Sequence, residues 1–114
     1  MLHTVSLKEN SVFRRLYRRG ACAGNRYLVI YCRRNGRSET SRLGLTVSPK
    51  LGNAVMRNRI RRRLREIYRA EEPTLKRGYD LVIVARHGAV QAEFAVLARA
   101  FAALADKLNL RCES

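Results

Sequence analysis

Apolar residues recur along this chain with two periods, one suited to helices and one to strands. From Ser11 to Arg19, Val12, Phe13, Leu16 and Tyr17 fall on one stripe of a short amphipathic helix. Arginines flank that stripe, and Gly20 is its stop signal. Tyr27 to Cys32 is aromatic, β-branched and short, the pattern of a strand. The polar stretch from Arg33 to Arg42 carries Asn35-Gly36 and reads as a connecting loop or a hairpin turn. Leu43 to Val47 supplies a further strand, ended by Ser48 and Pro49. Asn53 is a good N-cap residue for a helix over 54–69. Pro73 and Gly78 bracket the return to a strand from Tyr79 to Ala85. Its run Leu81-Val82-Ile83-Val84 fits burial on both faces. A last helix spans 91–110, where Phe94, Leu97, Ala98, Phe101, Leu104, Ala105 and Leu108 form a core stripe. These elements predict an α+β fold, an α/β sandwich in which one small sheet carries three helices in the order α-β-(β)-β-α-β-α. With 114 residues, the chain is read as a single domain.

The helix over 54–69 departs most from an ordinary amphipathic pattern. At about 100° per residue, Met56, Ile60, Leu64 and Ile67 fall within an arc of about 80° and are assigned to the core. Arg59, Arg62, Arg65 and Arg69 lie on the far side, while Arg57, Arg61 and Arg63 flank the stripe. Their stems can cover its edges. Seven arginines thus share one helix about 24 Å long, with Glu66 the only local acid. Neighbouring like charges destabilise the free helix. A solvated charged face mixes signs instead.

The whole chain shares this bias. Twenty-four Lys and Arg against nine Asp and Glu give a net charge of +15. The apolar fraction of 46% is that of a folded protein, so the excess does not reflect disorder. A polyanion is the natural partner. No stretch reaches the ~18 consecutive apolar residues of a spanning helix, and no signal peptide is read at the start, so the expectation is a cytoplasmic protein with no membrane partner. Guanidinium groups suit bidentate phosphate contacts and stacking on bases. Their spread over about 160° of the helix favours the several backbone segments of a folded RNA over one DNA groove.

Residues for protein-based chemistry are sparse. Cys22, Cys32 and Cys112 are odd in number, widely spaced and without a CxxC, so they read as reduced thiols with packing roles. The acids are scattered; Glu71-Glu72 is read as a helix-end or solvent pair. His3 stands near a terminus expected to fray, and His87 follows the last strand. No catalytic residue and no metal ligand is assigned to the protein. The residues alone leave three classes open: an accessory to an RNA enzyme, a pure binding module of ribosome or nucleoid, and a stand-alone nuclease.

Asn53 to Arg65 reads Asn-Ala-Val-Met-Arg-Asn-Arg-Ile-Arg-Arg-Arg-Leu-Arg. This resembles the signature of the bacterial ribonuclease P protein family, whose Arg-Asn-Arg core is here Arg57-Asn58-Arg59. The preceding Gly44 to Gly52 is similar to the family's strand and turn, and the order of elements extends the likeness from about Leu7 to Leu108. The resemblance implies a subunit of the ribonucleoprotein that removes the 5′ leader of precursor tRNA by endonucleolytic cleavage. The chain is then an enzyme only as part of the holoenzyme. The catalytic RNA holds most of the Mg²⁺ and hydrolyses the phosphodiester, and no protein partner is required. It assigns contact with the RNA subunit to Lys50, Asn53, Arg57, Asn58, Arg59, Arg61, Arg62 and Arg65. It assigns the single-stranded leader to Phe13, Tyr17 and Tyr31, whose rings can stack on any base. It also implies an unusual left-handed β-α-β crossover. Two departures stand out: Val5-Ser6 precede Leu7 where the family often has basic residues, and Tyr17 replaces a common Phe.

Overall fold

The computed structural model describes residues 1–37 and 39–112. Its elements are β1 (Thr4–Ser6), α1 (Asn10–Arg19), β2 (Ala21–Gly24), β3 (Leu28–Arg34), β4 (Ser41–Thr46), α2 (Ala54–Glu71), β5 (Tyr79–Ala85) and α3 (Phe94–Lys107). The strands form one sheet in the order β1-β4-β5-β3-β2. β1 and β5 run parallel to β4, whereas β3 runs antiparallel to both β5 and β2. The α+β architecture expected from the sequence is therefore present, with α2 as the crossover between the parallel neighbours β4 and β5.

Strand alternation divides the side chains of this sheet between two layers. On one face, Leu28, Ile30 and Cys32 of β3, Leu43 of β4, and Leu81, Ile83 and Ala85 of β5 are buried. They pack with Ile60, Leu64, Ile67 and Tyr68 of α2 and with Leu97, Phe101 and Leu104 of α3 in the main core. On the opposite face, Val82 packs with Leu7 and with Val12 and Leu16 of α1 in a smaller cluster. Phe13, Tyr31 and Val84 border that cluster and stay partly open. Two helices seal one side of the sheet, and one helix covers only part of the other.

Several elements differ from the sequence expectation. β1 has no predicted counterpart and β2 answers only to the optional third strand, which carried no residue range, because edge strands of three and four residues carry too little pattern. The Asn35-Gly36 connection is not a hairpin: β5 lies between β3 and β4. Gly36 does take a left-handed turn conformation, φ +77°, but the turn joins strands that are not neighbours. Ser38, inside the predicted 33–42 connection, lies outside the described residues. α3 is shorter than 91–110, and its C-terminal end is followed by Asn109 at φ +57°. Phe94, placed in the core stripe by periodicity, is 41% exposed in the first turn. Met56 is likewise 38% exposed and lies over the Gly52 backbone instead of the sheet, while Tyr68, at the stripe's margin, is buried.

The largest correction concerns the acids and the N-terminus. Glu72 is fully buried, not solvated. Its carboxylate accepts the backbone N–H of Leu2 (2.7 Å) and of His3 (3.2 Å) and the Thr4 hydroxyl. With the Thr4 proton spent on Glu72, the Tyr68 hydroxyl donates to Thr4 Oγ1 at 2.9 Å. Burial alone raises the Glu72 carboxyl pKa, but the Thr4 hydroxyl and the two N–H donors outweigh it and hold the group below its usual range. The chain start expected to fray is thereby tied to the end of α2. The His3 ring lies within it, with Nε2 3.8 Å from the carboxylate. Glu71 pairs instead with Arg111.

Candidate nucleic-acid interface

α2 begins where the Asn53 side chain accepts the Met56 N–H at 2.9 Å, a regular N-cap. Burying Ile60, Leu64, Ile67 and Tyr68 against the sheet fixes the helix rotation, so the remaining sides face outward. Asn58, Arg59, Arg62, Arg65 and Arg69 are exposed, and Arg57, Arg61 and Arg63 are half-buried along the margins. That distribution is the one the wheel predicts for the arginines.

The eight residues assigned to the RNA subunit are not equivalent in their local bonding. Arg57 Nε donates to the Gly52 carbonyl at 3.2 Å, bracing the turn that precedes the helix. Asn53 is engaged as the cap, although its amide nitrogen is not used there. Arg61 Nη1 donates to Asn58 Oδ1 at 3.0 Å, which links two of the eight along the helix surface. Lys50 is exposed on the single 3-10 turn Pro49–Leu51 beside the N-terminus of α2. Arg59, Arg62 and Arg65 have no acidic partner among the described residues. With Arg69, which likewise has no acidic partner among the described residues, four unpaired guanidinium groups thus stand on the outer side of α2. Arg63, outside the eight, donates to the Ala92 carbonyl and ties α2 to the segment before α3.

The aromatic residues assigned to a leader come together on the opposite face of the sheet. Phe13 and Tyr17 are one helical turn apart on α1, with ring centroids 6.4 Å apart. Tyr17 meets Tyr31 of β3 edge-to-face at 4.9 Å. The Tyr17 hydroxyl and Thr46 Oγ1 are 3.1 Å apart, so the end of β4 holds the ring in position. A cleft of about 410 Å³ opens beside Phe13, Tyr17 and Thr46. Tyr17 is the most open of the three rings at 42% exposure; Phe13 and Tyr31 are half-buried. Both readings of Phe13 therefore have a physical basis, since its ring contributes to packing and also lines the opening.

Two residues support the rings, and neither was assigned to the cleft from sequence. Gly44 lies directly under Phe13: a Cβ there would stand 2.6 Å from Phe13 Cζ, so only glycine lets the ring rest on the sheet. A glycine inside a strand is the signal that points to such a close approach. Cys22 faces Tyr31 across the β2–β3 ladder. Burial first, and then the neighbouring Cys22, raise the Tyr31 hydroxyl pKa, so the ring stays a neutral stacking surface. Among the described residues, no group of three or more His, Cys, Asp or Glu side chains is placed to hold a metal ion. Among the same residues, no helix is long and apolar enough to cross a membrane.

Known proteins resemble this chain over nearly its whole length. The Ribonuclease P family matches residues 1–109. The ribonuclease P protein component of Natranaerobius thermophilus is 38% identical over 110 residues, spanning 96% of this chain and 95% of that one. That of Clostridioides difficile is 45% identical over 92 residues, 80% of each chain. Among solved structures, the RNase P protein of Staphylococcus aureus is similar with a TM-score of 0.86 at 30% identity, covering 94% of this chain and 97% of that one. The RNase P protein of Thermotoga maritima is similar with a TM-score of 0.81 at 27% identity, covering 96% and 98%. An arginine helix on one side of the sheet, an aromatic cleft on the other and near full-length similarity lead to one assignment: the chain belongs to the bacterial ribonuclease P protein family.

Proposed function

We propose that this chain, a protein component of the ribonuclease P endoribonuclease, uses the outer side of α2 to bind the catalytic RNA subunit. In the same reading the α1 cleft binds the single-stranded 5′ leader of precursor tRNA. The observation that carries it is the set of unpaired guanidinium groups of Arg59, Arg62 and Arg65, held outward by a helix whose other side is buried. Lys50, Asn53, Arg57, Asn58 and Arg61 extend that surface. Phosphates of a folded RNA neutralise the charge and relieve the repulsion along the helix.

On the other face, Phe13, Tyr17 and Tyr31 offer rings to unstacked leader bases without demanding a sequence. The sheet keeps these surfaces apart, so one small protein can touch the RNA subunit and the substrate together. Cleavage itself is assigned to the RNA, which holds most of the Mg²⁺ and activates the attacking water. The protein supplies no catalytic group in this account. It positions the leader and screens two polyanions from each other. The compartment is that of tRNA maturation, the cytoplasm.

Reconstitution tests the proposal. Adding the protein to bacterial ribonuclease P RNA at low Mg²⁺ should raise the rate of precursor-tRNA cleavage; no stimulation would refute the accessory role. Arg59→Ala with Arg62→Ala should weaken binding to the RNA subunit and flatten its salt dependence. If ~6 phosphates are contacted, the parent protein should lose roughly 10³-fold in affinity between 50 and 200 mM salt. Cleavage by the protein without any RNA subunit would favour a stand-alone nuclease instead.

A further inference from the structure

We propose that a cleft on the other flank of α1 is a second phosphate site, separate from both the α2 surface and the aromatic cleft, that takes one backbone phosphate of RNA. This inference rests on the RNA-binding role proposed above and extends it to residues that role does not use. α1 lies across the open sheet face with Phe13, Arg14 and Tyr17 bordering the aromatic cleft on one flank. Its other flank, with Arg15, borders a pocket closed by Arg33, Arg34 and Asn35 at the end of β3, and by Arg42 and Asp80.

Charge in this pocket is arranged for an anion. Asp80 is the only acid lining it among the described residues, and it is already engaged. Its carboxylate accepts Arg42 Nε at 2.7 Å, Arg42 Nη2 at 2.6 Å and the Asn35 amide at 3.1 Å. The pair is shielded, with 14% and 8% of the two side chains exposed. Asn35 Oδ1 in turn accepts the Arg37 N–H, so the loop that shapes the pocket is locked to it. The Asp80–Arg42 pair therefore acts as a neutral, rigid floor. It does not balance Arg15, Arg33 and Arg34, which have no acid within ion-pair distance among the described residues, although Glu9 lies near enough to act on Arg42. Uncompensated positive charge beside a neutral floor, with Arg33 on the α1 face of the sheet next to Arg15, is relieved when an anion enters.

Size selects the kind of anion. The pocket holds about 160 Å³, which is the share of roughly five water molecules at ~30 Å³ each. Pockets for organic ligands begin near 300 Å³. A phosphate with residual water fits, whereas an organic cofactor has too little room, and the arginine lining offers no aromatic face on which a base would stack. Surfaces around the pocket also favour a phosphate belonging to a long polyanion. Arg14, Arg15, Arg18 and Arg19 continue along the solvent side of α1, bordering a shallow depression of their own. An RNA strand following α1 meets arginines along its path and can seat one phosphate at the end of β3.

The phosphate can come from the RNA subunit or from precursor tRNA, and one variant distinguishes the two. Arg15→Gln with Arg33→Gln should lower affinity about tenfold for whichever RNA occupies the pocket. The slope of log affinity against log salt should fall by about one in the same arm. Loss in binding of the isolated RNA subunit identifies that subunit. Loss confined to precursor-tRNA binding by the assembled holoenzyme identifies the substrate. No change in either arm overturns the site. Arg59→Ala with Arg62→Ala runs in parallel: if it weakens binding while the Gln pair does not, only the new site fails, and if neither weakens binding, the wider RNA-binding reading fails as well. An independent measurement uses the unmutated protein with inorganic phosphate. The side-chain Nε–Hε resonances of Arg15 and Arg33 should shift at lower phosphate than that of Arg37, which is exposed outside the pocket. Equal shifts at all three would also overturn it.

Discussion

Replacing Glu72 with Gln tests the buried carboxylate that ties the chain start to α2. Glu72 is inaccessible and accepts three hydrogen bonds, from Leu2 N, His3 N and Thr4 Oγ1. The two carboxylate oxygens share these donors, with Leu2 on Oε1 and the other two on Oε2. In Glu72→Gln one oxygen becomes an NH₂ group, so either orientation sets donor against donor. Bonds to a charged acceptor are each worth about 1.5–3 kcal/mol. Losing one and weakening the rest should cost about 3 kcal/mol, or about 12 °C in Tm at ~4 °C per kcal/mol for a chain of this size. The sign of the pH dependence follows from the lowered carboxyl pKa. Stability from Glu72 is complete above the unfolded carboxylate range and is lost as pH falls through the folded value. Thermal and urea unfolding of parent and variant, at neutral pH and in acid, should therefore show a gap that closes on acidification. Glu71→Gln is the control, because Glu71 is partly exposed in its pair with Arg111 and should cost at most about 1 kcal/mol. Equal midpoints for parent and Glu72→Gln at neutral pH would refute the anchoring account.

Gly44→Ala should lift Phe13 off the sheet, given the 2.6 Å approach. Urea unfolding should show a loss of about 1–3 kcal/mol, and unchanged stability would mean that the ring is free to move. Phe13→Ala should impair discrimination for leader-bearing over mature tRNA, measured by binding to the holoenzyme; equal losses for both RNAs would argue against the cleft assignment. Burial pushes the Cys32 thiol up to about 11, whereas Cys22 and Cys112 are exposed. A thiol reagent at mildly alkaline pH should modify those two in the folded protein and reach Cys32 only on unfolding. Rapid modification of all three would contradict the buried placement.

Most of the regular structure was legible because its signal is local. β5 appears with the bounds predicted for it, since an unbroken apolar run of that length is what a central strand requires. α1 and α2 differ from expectation by a residue or two at their ends. The arginines of α2 could be sorted into outward and marginal positions from periodicity alone. Phe94 and Met56 failed for a common reason: each sits in the first turn of its helix, where the helical stripe continues but the surface opposite it does not. β1 and β2 could not be located along the chain because their pairing, not their composition, makes them strands.

Sequence by itself determined a basic α+β protein with three helices, a central apolar strand and an arginine-dense helix carried on a narrow apolar stripe. It did so because period, charge and capping are properties of neighbouring residues. Tertiary structure decided that β5 separates β3 from β4, that Glu72 is buried beneath the first residues, and that α1 divides the open sheet face into an aromatic flank and a cationic one. Those features arise from residues dozens of positions apart, such as Phe13 with Gly44 or Arg42 with Asp80. Only strand order and helix docking bring such residues together, and no local pattern encodes either.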